Sequence, residues 1–137
     1  KKAPRRGGDD AGALACKLAQ ACQQGRIDAV RHCLKEGADV NETVKGWACP
    51  LYIACFQNHL DIARLLIESG ADVNQATELG VTPLIGACGE GNINVVRLLL
   101  EKGAGVFQAM NDGASPLFVA SKTGQKDVAR LLLEKGA

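Results

Sequence analysis

This 137-residue chain has six cysteines, which could form disulfide bonds, and two histidines, which could bind a zinc ion together with cysteines. The sequence has no Cys-x-x-Cys pair, and His32 and His59 do not complete a zinc-ligand pattern. Neither histidine has a nucleophile or a carboxylate at a recognised catalytic spacing, which disfavours a hydrolase triad. The sequence therefore predicts no metal, no cofactor and no catalytic residue, and we expect a protein that is not an enzyme.

Basic and acidic residues nearly balance, since the chain has 16 of the former and 15 of the latter. Four basic and two acidic residues lie in residues 1–10, which leaves the rest of the chain with a net charge of −1. Phosphate binding needs a concentrated basic face, so this near-neutral body argues against nucleic acid as a ligand. There is neither an apolar run that could cross a bilayer nor the apolar segment of a signal peptide. We expect an intracellular protein, cytoplasmic or nuclear, without membrane insertion.

Short sequence markers recur along the chain with a spacing of 33 residues. Gly-Ala begins at Gly37, Gly70, Gly103 and Gly136; Pro-Leu begins at Pro50, Pro83 and Pro116; Ala-Cys begins at Ala21, Ala54 and Ala87. Because independent markers keep one period, the chain is predicted to contain four copies of one structural unit.

Each unit is predicted to contain two short helices, and the third unit shows why. Thr82 and Pro83 are typical of a helix start, because the hydroxyl accepts from free N–H groups and proline suits the first turn. Gly91 favours a helix end, and an apolar run predicts a second helix from about Ile93. The glycines of residues 86–91 are therefore interpreted as helix packing and a helix end, not as a phosphate loop. Helix pairs this small cannot bury their own apolar faces, so the units must stack into a solenoid.

Three motifs of this chain resemble the ankyrin repeat. They are Gly80-Val81-Thr82-Pro83-Leu84, Val96-Arg97-Leu98-Leu99-Leu100 and Gly70-Ala71-Asp72-Val73-Asn74, and the resemblance covers residues 13–137. It implies an all-α solenoid of stacked helix–turn–helix units with extended β-turn fingers. It also implies a concave surface, formed by the fingers and the first helices, that usually binds other proteins.

The period divides the chain into a tail and four units. We expect a flexible basic and glycine-containing tail at 1–12, then unit one at 13–42, unit two at 43–75, unit three at 76–108 and unit four at 109–137. Lys17 and His32 stand where apolar or proline residues occur in other units, which fits an N-terminal cap. Unit four lacks such polar substitutions, so we expect further repeats or another domain to follow it. The tail could be a nuclear localisation signal or an acidic-surface contact, although a linker is favoured.

The cysteines take regular places within the units. Cys22, Cys55 and Cys88 are equivalent positions of successive first helices. Packed helices lie about 8–10 Å apart, whereas a disulfide needs Cα atoms within about 7 Å. Cys16 and Cys49 replace the capping threonine. We expect small buried thiols in a reducing compartment.

Candidate partner-binding residues follow from their place on the fingers and at the ends of the first helices. They are Lys45, Trp47, Tyr52, Phe56, Gln57, Glu78, Leu79, Val81, Glu90, Asn111, Asp112 and Lys122. We expect this surface of a monomeric protein to bind another protein or a peptide. The alternative is a structural or substrate-recruiting segment of a larger regulatory protein, such as a ubiquitin-ligase adaptor.

Unit two departs most from the repeat pattern. Gly46 comes one place early, so that Trp47 occupies the position of the turn glycine, and an altered finger is expected. Tyr52 and Phe56 are four residues apart and share one helix face. They could anchor a partner or be half-buried packing residues, and these two interpretations stay open. For Trp47 partner contact is favoured, because tryptophan covers area at low entropic cost.

Overall fold

The computed structural model describes residues 8–44 and 48–137, with the backbone alone for residues 8–11. The described residues form eight α-helices and no strand beyond one isolated bridge. The helices are α1 (Gly8–Gln24), α2 (Ile27–Lys35), α3 (Pro50–Phe56), α4 (Leu60–Glu68), α5 (Pro83–Glu90), α6 (Ile93–Glu101), α7 (Pro116–Lys122) and α8 (Lys126–Glu134). The expected all-α solenoid of helix pairs is confirmed.

Two rows of helices make up the solenoid. The first helices of the units (α1, α3, α5 and α7) pack side by side, and the second helices (α2, α4, α6 and α8) form the row behind them. The first helices contact one another more closely than the second helices do. The stack therefore curves toward the first helices, whose row lies on the concave side.

The first helices of units two to four begin in the same way. In each of them proline occupies the first turn, and the preceding residue accepts a hydrogen bond from a backbone N–H three residues on. These bonds join Tyr52 N to Cys49 Sγ (3.4 Å), Ile85 N to Thr82 Oγ1 (3.1 Å) and Phe118 N to Ser115 Oγ (3.1 Å). The predicted start and end of α5 are confirmed, since Gly91 follows its last residue with φ 75°.

Unit one begins differently from the prediction. Helix α1 starts at Gly8, inside the segment 1–12 that was expected to be a flexible tail. Cys16 lies within this helix and is exposed, so the expectation that it caps the helix and is buried was wrong. The physical reason is that Lys17 replaces the proline that fixes the helix start elsewhere, while the alanine-rich sequence before it favours continued helix.

Equivalent positions of each unit build one continuous core. Leu51 and Leu84 of the first helices are almost fully buried, as are Leu66, Leu99 and Leu132 of the second helices. Burying each such side chain contributes about 1.5–3 kcal/mol relative to leaving it exposed. Because these leucines belong to one core that includes residues of all four units, the free energy of folding comes largely from the stack.

One set of polar side chains joins the second helices of units two to four to the preceding unit. The residue before each of these helices contacts a carbonyl oxygen near the end of the first helix of the preceding unit. The contacts are His59 Nε2 to Gln23 O (3.2 Å), Asn92 Nδ2 to Cys55 O (2.8 Å) and Gln125 Nε2 to Gly89 O (3.4 Å). We call these contacts the turn ladder.

A second set, the loop ladder, joins the loops that follow the second helices. Asn74 accepts a hydrogen bond from Gly105 N (2.8 Å) and donates one to Gly103 O (3.4 Å). Asn41 makes the equivalent pair of bonds one unit earlier. The next position in this series is Phe107, whose side chain cannot make such bonds and is 73% exposed.

Fingers project from the concave edge of the stack between the helix pairs. Each is closed by one backbone bond: Val44 N to Ala48 O (3.0 Å), Thr77 N to Val81 O (3.0 Å) and Met110 N to Ala114 O (2.9 Å). We name the segments 44–48, 77–81 and 110–114 finger two, finger three and finger four. These bonds keep the 33-residue register, so the early glycine of finger two leaves its base unchanged. The turn of that finger, with Lys45 and Trp47, lies outside the described residues.

Candidate functional site

Ten of the twelve candidate residues lie in the part of the chain that the structure describes. They occupy fingers three and four and the first helices or the positions next to them, as their place in the repeat predicts. Tyr52 and Val81 are half-buried, and the others are exposed: Phe56, Gln57, Glu78, Leu79, Glu90, Asn111, Asp112 and Lys122. The structure thus leaves these residues accessible on the concave side, while their contact with a partner stays a prediction.

Tyr52 and Phe56 form a stacked aromatic pair on α3. Their ring centroids are 5.9 Å apart with an interplanar angle of 22°. Phe56 is 38% exposed, whereas the Tyr52 ring lies against α5, where Gly86 leaves room for it. Tyr52 therefore packs against α5 and is also partly accessible to solvent, and Phe56 is the more accessible ring of the pair.

A cavity of about 340 Å³ opens beside this pair, between α1 and α3. We call it the aromatic pocket. Its walls are mostly apolar, and they are formed by Ala19, Gln23, Val44, Ala48, Tyr52, Ile53, Phe56 and Gln57. Concave, largely apolar sites with a few polar groups at the edge are typical of ligand recognition. The volume of the pocket suits a large apolar side chain, and Gln23 and Gln57 contribute amide groups to its walls.

Sequence reasoning missed the pocket, although a signal for it exists. Ala19, Tyr52, Ile85 and Phe118 are equivalent positions of the four first helices. The small side chain of Ala19 leaves space next to α3 at a place where the other units carry a large residue. A comparison of side-chain size along this column could have indicated the pocket.

The hydroxyl of Tyr52 is held in its neutral form. Burial raises the pKa of this group, and the negative charge of Glu90 raises it further, followed by Cys49. Tyr52 therefore presents a protonated hydroxyl at neutral pH.

Fingers three and four are bonded to each other at their tips. The backbone N–H of Asn111 donates to Leu79 O (3.0 Å), and its side-chain amide donates to Glu78 O (2.7 Å). Gly80 has φ 84°, and a Cβ there would lie 2.7 Å from Asn111 N, so only glycine suits this approach. Asn111 thus holds the two fingers together, and Leu79 stands 68% exposed at the tip.

Phe118 belongs to the column of equivalent residues Ala19, Tyr52, Ile85 and Phe118, and it shows how a neighbouring unit covers the members of this column. Tyr52 lies against Gly86, and Ile85 of unit three is buried. Phe118, at the same position of unit four, is 55% exposed. The sequence did not single out Phe118, although its place in the column was visible.

The surroundings of the buried cysteines disfavour the thiolate form. All six are free thiols, and every one except Cys16 is buried. Burial raises the pKa of Cys22 to about 12, with smaller effects of Cys33 and Cys49, and burial raises that of Cys88 to about 12. Such thiols are not nucleophilic at neutral pH. No group of three or more His, Cys, Asp or Glu residues in the described ranges could hold a metal ion.

Comparison with protein families gives one match. The family model for ankyrin repeats (3 copies) matches residues 15–77 and 70–137, which together include all eight helices except the beginning of α1. No curated protein matches the chain. None of the described helices has the length and apolar character needed to span a membrane.

Proposed function

Because the chain belongs to the ankyrin-repeat family, we propose that it is an interaction module that binds a partner protein or peptide on its concave face. Ankyrin repeats are generally protein–protein interaction modules and typically not enzymes. The observation that favours the concave face here is the aromatic pocket beside the exposed ring of Phe56. Aromatic side chains at the centre of an interface often supply much of the binding free energy.

Accessible apolar groups extend beyond the pocket and support this proposal. Leu79 projects from finger three, and Phe118 is exposed on α7. Single exposed apolar residues need no explanation, but a series of them on one face is typical of an interaction surface. The proposal therefore places the centre of binding at unit two and extends it to units three and four.

The setting that we propose is intracellular, cytoplasmic or nuclear, with a monomeric module. Five buried free thiols favour a reducing compartment, where disulfides are rare. The near balance of 16 basic and 15 acidic residues favours a protein partner over nucleic acid.

The test compares two variants that each remove one exposed phenylalanine ring. Phe56→Ala changes the rim of the pocket, and Phe107→Ala changes the loop behind α6. Proteins captured by the wild-type chain would be quantified by mass spectrometry on both variants, after circular dichroism has confirmed their helix content. We expect the main captured partner to be lost with Phe56→Ala and kept with Phe107→Ala. Undiminished capture by Phe56→Ala would contradict the proposed centre.

A further inference from the structure

The concave face changes its chemical character from unit two to unit three. At unit two it is apolar, because the aromatic pocket lies there. At units three and four it carries the exposed carboxylates of Glu78, Glu90 and Asp112, which we call the acidic patch. Lys122 lies at the end of α7, one unit beyond Glu90.

Contacts between the units bring the patch together and place it next to the pocket. The ring of Tyr52 lies against Gly86 of α5, and Glu90 follows four residues later on the same face, at the end of that helix. The side chain of Asn111 bonds the main chain at Glu78, so that Asp112, the next residue, lies beside the tip of finger three. The pocket and the patch are therefore neighbouring parts of one surface.

The carboxylates of the patch are not neutralised within the part of the chain that the structure describes. No salt bridge joins Glu78, Glu90 or Asp112 to a basic group among those residues, and the backbone N–H of Ala114 donates to Asp112 Oδ1 at 3.0 Å. On the convex side, by contrast, Asp127 pairs with Arg130 at 3.5 Å. The acidic patch thus keeps its charge available for a basic group from outside.

Resting on the proposed function, we propose that the occupant of this surface is a peptide segment with one large apolar side chain and a nearby Lys or Arg. The apolar side chain enters the aromatic pocket, and the basic side chain meets the acidic patch. The repeat geometry sets their separation. Phe56 and Glu90 lie one unit apart, which corresponds to about 10 Å between packed helices. An extended peptide rises about 3.3 Å per residue, so the two groups are about three residues apart.

The experiment uses a phage-displayed library of random twelve-residue peptides as its probe. The library is selected on the wild-type chain, and each enriched peptide is then titrated against the wild type and against Phe56→Ala. We expect enrichment of a large apolar residue with Lys or Arg about three positions away. A synthetic peptide of the enriched sequence is then titrated against the wild type and against the double variant Glu78→Lys/Glu90→Lys.

The double variant is expected to bind that peptide about three- to tenfold more weakly, because two attractive charges become repulsive. This loss should shrink at high salt, since the pairs are exposed. The matched control is the double variant Glu101→Lys/Glu134→Lys, which makes the same charge change on the convex helices α6 and α8 and should leave the affinity unchanged.

Two outcomes separate this proposal from the proposed function. If the selected peptides require Phe56 but lack basic residues, the proposed occupant is overturned and the interaction surface stays in place. The same conclusion follows if they bind the double variant as tightly as they bind the wild type. Peptides that bind Phe56→Ala as tightly as the wild type contradict the proposed function and this occupant together. A library with no enriched sequence also overturns the peptide occupant.

Discussion

The ring of Tyr52 lies so close to Gly86 of the next unit that a Cβ at Gly86 would be 2.7 Å from Tyr52 Cε1. This contact joins α3 to α5 and keeps Tyr52 half-buried while Phe56 stays exposed. The glycine within α5 therefore has a specific packing role. Glycine inside a helix otherwise costs about 1 kcal/mol relative to alanine.

A double-mutant cycle tests this relationship. In the background of Tyr52→Ala, the change Gly86→Ala is expected to raise the free energy of unfolding by about 1 kcal/mol, because only helix propensity then matters. In the wild type the same change is expected to lower it, since the added methyl group displaces the ring. Urea denaturation followed by circular dichroism measures both values. An equal gain in both backgrounds would show that the ring does not need the glycine.

Filling the aromatic pocket is expected to weaken binding without unfolding the protein. Ala19→Leu places an apolar side chain in the existing space, so the free energy of unfolding should change by less than about 1.5 kcal/mol. The affinity for a concave-face partner should fall at least tenfold, as about 1.4 kcal/mol of binding is lost. Isothermal titration calorimetry measures this affinity. Gln20→Leu adds the same side chain one residue away, outside the pocket walls, and should bind as the wild type does.

The loop ladder gives a prediction about local stability. Asn74→Ala removes the bonds to Gly103 and Gly105 and should lower the free energy of unfolding by about 1–3 kcal/mol. Conversely, Phe107→Asn should provide a donor for the carbonyl of Gly136, one place further along the series. Hydrogen exchange measured by NMR would then show slower exchange at the end of α8. Unchanged exchange there would mean that the ladder does not extend to unit four.

The buried thiols predict a loss of stability at alkaline pH. Burial raises the pKa of Cys22 from 9.0 to about 12, so the unfolded chain releases this proton at lower pH than the folded chain. The stabilising effect is thus complete below pH 9 and is lost as the pH rises toward 12. Across this window the free energy of unfolding should fall by about 1.4 kcal/mol per pH unit for this group. Denaturant titrations between pH 9 and pH 11 measure the slope, and Cys22→Ala should make it shallower.

The fold was predictable from the sequence wherever the repeat pattern is intact. Thr82, Pro83 and Gly91 determine the ends of α5 by capping and by backbone conformation, which are local properties. Unit one lacks the proline, so the beginning of α1 could not be placed from the pattern. Helix starts depend on a few residues, and the loss of one of them removes the signal.

The candidate site was predictable in outline but not in its detail. The period placed Phe56, Glu90 and Leu79 on the accessible side, because their column in the repeat determines which face they occupy. The pocket depends on the size of Ala19 in the preceding unit, and the role of Asn111 depends on contact between fingers. Both are relationships between units, which a pattern within one unit does not contain.

The gap that Phe107 leaves in the loop ladder also predicts where the stack opens first when it is pulled. Units one and two, and likewise two and three, are joined by both ladders. Unit four packs on unit three through its helices, and the hydrogen bonds that join it to unit three are those of Gln125 in the turn ladder and of Asn111 between the fingers. A pulling force applied to the two ends of the stack would meet the least resistance at α8. Unit four would then detach first, while the aromatic pocket, two units away, would keep its shape.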